Sequence, residues 1–171
     1  MFITRGLLFQ LRNEAELAGV LGHEIMHVVR KHHLDALQKQ ARLNLAGSVA
    51  ATALEQRGKD PGEYAWVAAG ARTLYTRGLD RDDEFDADRA GVVLAARASY
   101  DPYGLPAVLQ RLDAMAADDG RLALLFKTHP APADRLAQLT ARMDGRAGDL
   151  IGTDGASRFR AQMQGLVATG F

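Results

Sequence analysis

The chain has 171 residues, enough for one domain with its own core, and 47% apolar with 25% charged residues is an ordinary soluble composition. Lys plus Arg equals Asp plus Glu, 21 each, so no global field favours a nucleic-acid partner. The absence of cysteine excludes disulfides and thiolate metal sites, and no apolar run approaches the ~20 residues that span a bilayer.

The chain starts at once on strand-type residues, Met1-Phe2-Ile3-Thr4, with no signal peptide before them. This points to a native start elsewhere or a trimmed fragment, with one strand left at residues 1–4. Asn13 followed three residues on by Glu16 has the form of an N-cap and its capping-box partner. From there a helix runs through Leu17, Val20, Leu21, Ile25 and Val28 into the basic pair Arg30-Lys31, where cations suit a helix end. A second helix is expected over about 41–56, and its apolar part, Leu43 to Leu54, reads as buried. Gly58, Pro61 and Gly62 mark a loop. Helices are expected over about 63–77, 82–97 and 105–117, with turns at Asp101-Pro102 and Asp118-Asp119-Gly120. A last helix follows the rigid His129-Pro130-Ala131-Pro132 stretch to about Met143. The fold class is mainly α, in a single domain over residues 1–171 with a core at about 3–143. The glycine-rich tail 144–171 has no clear assignment.

The strongest chemical signal is His23-Glu24-Ile25-Met26-His27. Residues four apart on a helix differ by about 40° around the axis, so both imidazoles point the same way. Two nitrogen ligands from one rigid turn suit zinc. Glu24 lies about 100° round from His23, beside the metal, where a carboxylate can take a proton from water. The bland alternative is a pair of helical histidines with an incidental acid. Against it, Glu24 projects close to the arc of Leu17, Val20, Leu21 and Val28, where an unused carboxylate is costly.

A catalytic zinc takes three protein ligands and leaves one position open. The third is sought in the acidic run Asp80 to Asp88. Asp80, Asp82 and Asp83 read as a solvated helix start. Glu84 and Asp88 differ, because they share a face with the small residues Ala87 and Gly91, which let two helices approach closely. Gly19 and Gly22 give similar room beside His23. Glu84 is then the third ligand, and Asp88 accepts a hydrogen bond from a ligand histidine. His32 and His33 are off the spacing for a ligand with His27. Trp66, Tyr64 and Tyr75 read as core.

Taken in order, several segments resemble peptidase family M48, the gluzincin metallopeptidases. They are Ile3-Thr4-Arg5-Gly6-Leu7-Leu8, Asn13 to Arg30, Glu84-Phe85-Asp86-Ala87-Asp88-Arg89, Tyr100-Asp101-Pro102, and Thr128-His129-Pro130 with Arg135. The resemblance implies a zincin-type domain whose N-terminal sheet portion is largely missing here. It implies one zinc per chain on His23, His27 and Glu84, Glu24 as general base, Asp88 in support, and functional roles for His129 and Arg135. Either of those two would steady the oxyanion, and His129 is also a fourth-ligand candidate. It is similar in particular to the soluble bacterial periplasmic members. That implies a periplasmic or cell-envelope location, and protein or peptide substrates that are misfolded or unassembled. The rival expectation is a non-catalytic, chaperone-like module that keeps the zinc fold.

Overall fold

A computed structural model describes residues 3–57, 65–115, 129, 132–144 and 152–168. The expected loops at 58–62 and 118–120, with Tyr64, Thr128 and Pro130, lie outside these residues, as do the side chains of Trp66 and Tyr75. Seven helices are described: α1 (Arg5–Leu8), α2 (Glu14–Val29), α3 (His32–Gln56), α4 (Ala65–Arg97), α5 (Gly104–Ala114), α6 (Pro132–Met143) and α7 (Ala156–Ala168). The mainly α expectation holds. No strand forms among the described residues. Thr4, expected at the end of a strand, instead caps α1 by accepting the Leu7 N–H at 3.2 Å. Where one break was expected between about 77 and 82, α4 runs through without interruption. The chain divides into two compact units, residues 1–29 with 84–171, and residues 30–83.

In the smaller unit α3 begins at His32, earlier than expected. Its apolar residues are not covered: Leu45 and Val49 are 66% and 62% exposed. Asn44 and Ser48 within that stretch interrupt any continuous apolar face. No helix is long and apolar enough to cross a membrane among the described residues.

The larger unit is organised around α2. Asn13 Oδ1 accepts the Glu16 N–H at 2.8 Å, satisfying one of the unpaired donors at the start of the helix. Glu16 does not close a capping box on Asn13. Its Oε2 accepts the Arg12 N–H at 2.8 Å, one residue earlier. The helix ends at Val29 rather than continuing through Lys31, whose φ of 60° lies in the left-handed region. The buried face also differs from the expected one. It runs Glu16, Gly19, Val20, His23, His27, while Val28 is exposed.

α5 packs on both α2 and α6. Its apolar residues divide between two clusters. Val108 and Leu112 join Leu7, Leu11, Val20 and Phe159, whereas Leu105 and Leu109 join Val92, Leu139 and Met143. Each such side chain contributes about 1.5–3 kcal/mol by leaving water. α4 meets α2 glycine to glycine. A Cβ added at Gly91 would lie 2.6 Å from the His23 nitrogen, and one at Gly22 would lie 2.6 Å from the Gly91 carbonyl oxygen. Two bare backbones in contact bring the side chains of α4 within reach of the α2 histidines. The tail left open by the sequence contributes here too. Residues Tyr100 and Thr153 form a parallel bridge, the Ala15 N–H donates to Asp154 O at 3.0 Å, and α7 packs on α2.

Candidate metal centre

Four segments of the larger unit meet at one buried point. α2 brings His23, Glu24 and His27, α4 brings Glu84 and Asp88, α6 brings Arg135, and His129 comes from the segment before α6. His23, His27, Glu84 and Asp88 are all at most 5% exposed. Nε2 of His27 lies 3.1 Å from Nε2 of His23 and 3.2 Å from Glu84 Oε1. Glu84 Oε2 is 3.6 Å from His23 Nε2. Nδ1 of His129 completes the group, 3.4 Å from His23 Nε2 and 3.0 Å from Glu84 Oε1. One donor atom from each of the four residues falls within 4.8 Å of all the others.

Asp88 determines which nitrogen of His23 points inward. Its Oδ1 lies 2.8 Å from His23 Nδ1, so the ring donates from Nδ1 and turns the lone pair of Nε2 toward the group. Burial, opposed by the Asp88 hydrogen bond, lowers the pKa of His23 and favours the neutral ring, the form that ligates metals. Burial works against ionisation of Glu84. It is outweighed by hydrogen bonds from His129 and His27 and by the Arg135 charge, so Glu84 is held well below the usual carboxylate range. Asp88 is likewise lowered, its desolvation outweighed by hydrogen bonds from Arg135 and His23. For His129, burial is outweighed by the hydrogen bond and charge of Glu84, and its pKa rises.

The donor chemistry fits a divalent metal. Imidazole nitrogens and an ionised carboxylate oxygen converge in a buried space. A cation satisfies such a set, and nitrogen and oxygen donors suit zinc.

Glu24 stands at the edge of this group. Its side chain is 30% exposed, and its Oε1 lies 3.5 Å from His129 Nε2. Beside it is an apolar pocket walled by Leu7, Val20, Leu105, Val108 and Leu112, with His23, His129 and Arg135 on its rim. Arg135 is deeply buried. Its Nε and Nη2 donate to Asp88 Oδ2 and Oδ1 at 2.8 and 2.6 Å, and its Nη1 lies 2.8 Å from Glu84 Oε2. The guanidinium thus joins the two carboxylates of α4.

The structure thus brings together every site residue expected from the sequence. What sequence reasoning missed is the partner of Glu16. Arg111 of α5 donates to both its oxygens, at 2.9 and 2.6 Å, and to the Gln10 carbonyl. The signal was a carboxylate seven residues before His23 on the same face of α2.

Residues 1–143 match the model of peptidase family M48. The chain belongs to this family. Among curated relatives, the β-barrel assembly-enhancing protease of Escherichia coli (strain K12) is 31% identical over 134 residues, covering 76% of this chain and 28% of that protein. A putative β-barrel assembly-enhancing protease of Vibrio cholerae is 33% identical over 148 residues, 80% of this chain and 29% of that protein. The protease HtpX homolog of Ralstonia nicotianae is 30% identical over 171 residues, 80% of this chain and 57% of that protein. The chain therefore spans between about a quarter and three-fifths of the length of these relatives. No solved structure matches it. The family match covers the α2 and α4 ligand candidates, His129 and Arg135, and ends at the last residue of α6.

Proposed function

We propose that the chain is the catalytic part of a zinc metalloendopeptidase, with one zinc per chain, hydrolysing peptide bonds in misfolded or unassembled proteins. The observation that carries this reading is the convergence of His23, His27 and Glu84 on one buried point with the Glu24 carboxylate at its open edge. Family membership and the protease names of the relatives support it. The name β-barrel assembly-enhancing protease, carried by the Escherichia coli relative, supports a bacterial periplasmic or cell-envelope location and a task in protein quality control.

Zinc held by His23, His27 and Glu84 would supply Lewis-acid chemistry, acidifying a water and polarising the scissile carbonyl. Glu24 takes the proton of the attacking water and then delivers it to the leaving amine. Asp88 keeps His23 in the tautomer that directs Nε2 inward. The apolar pocket beside Glu24 receives a nonpolar substrate side chain and keeps bulk water from the reacting groups. His129 would be a fourth protein ligand at rest, since its Nδ1 lies among the other donor atoms. Away from the metal, the same imidazole would be placed to steady the oxyanion.

Unfolded casein incubated with the zinc-loaded chain tests the reading. Cleavage that stops with a chelator, returns with zinc and is absent from Glu24→Gln is expected. Casein left intact by the zinc-loaded chain would overturn the peptidase assignment and favour a binding module. A zinc-loaded, substrate-free structure should show His129 nitrogen near the typical ~2.0–2.1 Å from the metal. Water in that position, with His129 turned to solvent, would reject the closed resting state.

A further inference from the structure

Arg135 reaches the centre from α6 and touches two carboxylates that lie one turn apart on α4. The side edge of the guanidinium, Nε and Nη2, forms a fork with both oxygens of Asp88. The remaining nitrogen, Nη1, reaches Glu84 Oε2 at 2.8 Å. The two oxygens of Glu84 are therefore unequal. Oε2 is engaged by a cation already built into the protein, while Oε1 lies 3.2 Å from His27 Nε2, and His129 Nδ1 is 3.0 and 3.1 Å from Oε1 and Oε2. Asp88, aligned by the fork, in turn orients His23.

We infer that Arg135 is a positioning residue that makes Glu84 bind the metal through one oxygen, Oε1, and that fixes the His23 ring through Asp88. The inference rests on the metal-site reading above and adds to it the mode of coordination. Two-oxygen binding by Glu84 would make Oε2 serve the metal and Nη1 at once, weakening the hydrogen bond of a buried guanidinium nitrogen, which is costly. One-oxygen binding keeps both contacts, and it holds the protein ligand count low enough for a position to open to substrate. The geometry needs a planar fork and not merely a positive charge. A lysine ammonium offers a single point of contact and cannot align Asp88 while reaching Glu84.

The decisive measurement is the structure of the zinc-loaded wild-type protein. One Glu84 oxygen on zinc with the other still on Arg135 Nη1 is the expected result. Both oxygens on zinc would overturn the inference while leaving the metal site intact. A second readout uses Arg135→Lys, which keeps the charge and removes the fork. Zinc affinity in chelator competition should fall about 10–100-fold, the usual range for an orienting partner. The visible spectrum of the cobalt-substituted variant should shift toward that of a higher coordination number. Wild-type affinity and an unchanged cobalt spectrum in a folded Arg135→Lys protein would reduce Arg135 to a structural counter-ion. Should the lysine variant fail to fold, the wild-type zinc structure still decides. Failure of the metal-site reading itself appears separately, as full zinc retention by Glu84→Ala.

Discussion

The two ends of α2 use the same materials for different ends. At its start, Glu16 is buried and meets Arg111, and at its metal end Glu84 and Asp88 are buried and meet Arg135. At the first place donors and acceptors match. Both Glu16 oxygens accept from Arg111, and one also takes the Arg12 N–H. At the second place the arginine satisfies only part of the set, and two imidazole nitrogens 3.1 Å apart face the same carboxylate. An arginine paired with a buried acid is therefore no sign of function by itself. The sign is the convergence of imidazole nitrogens on the same carboxylate as the arginine. The first cluster fastens the helix, and the second could hold a cation.

The sharpest way to test that contrast is to remove a donor from the second cluster. His27→Ala should lose zinc altogether, measured as metal content after gel filtration, while circular dichroism still shows a helical protein. His23→Ala should behave alike. Full zinc occupancy in both variants would mean that the converging nitrogens are not ligands. Next in size comes Glu24→Gln. The amide keeps the shape and cannot accept a proton, so the rate of casein cleavage should fall by about 10²–10⁴ with zinc content unchanged. Undiminished turnover in the zinc-replete variant would place the base elsewhere.

Breaking the first cluster should have the opposite signature. Arg111→Met leaves the Glu16 carboxylate, 3% exposed, without its cation. Stranding one member of a buried pair typically costs about 3–5 kcal/mol. Urea unfolding should register that loss, while the protein that remains folded binds zinc with wild-type stoichiometry. A variant of normal stability that has lost zinc would reverse the roles assigned to the two ends.

The convergence of the candidate ligands was legible from the sequence because helical spacing is local. His23 with His27 and Glu84 with Asp88 are each four apart, and the small residues beside them foretold the close crossing of α2 and α4. The capping role of Asn13 was legible for the same reason. The Glu16–Arg111 pair was not, because 95 residues separate its partners and the capping pattern offered Glu16 a nearer role. The missing strand shows the limits of propensity. Ile3 and Thr4 favour β structure, but a threonine can also cap a helix, and α1 forms directly after it. Burial of α3 failed for a tertiary reason, since an apolar run is buried only where a partner surface meets it. α7 carries few periodic apolar residues. Its place comes from Phe159 in the core and from backbone bonds between residues 153–154 and the ends of α4 and α2, which no local pattern announces.

A smaller effect separates the residues within the metal cluster. Asp88→Ala should weaken zinc by about 10–100-fold, because His23 loses its orienting acceptor but keeps its ring. Glu84→Ala removes a ligand and should weaken it further. Chelator competition ranks the two. If Asp88→Ala is the more damaging, the carboxylates have exchanged roles and Arg135 is aligning the ligand rather than its support.

The smallest expected effect tests whether the ends of α2 are independent at all. Asn13 Oδ1 accepts the Glu16 N–H, and replacing Asn13 by Ala removes that cap while leaving the Glu16–Arg111 pair in place. Losing an N-cap typically costs about 1 kcal/mol. The cost should be felt locally, as fraying of the first turn, because the helix is pinned beyond it by Val20 in the core and by the glycine contact at Gly22. His23 is ten residues further on (23 − 13), so its ring should stay on Asp88. Asn13→Ala is therefore expected to lower the urea midpoint slightly, with zinc affinity unchanged. A fall in affinity comparable to that of Asp88→Ala would show that the start of α2 sets the position of the ligands. The first cluster and the metal cluster would then be one mechanical unit rather than two.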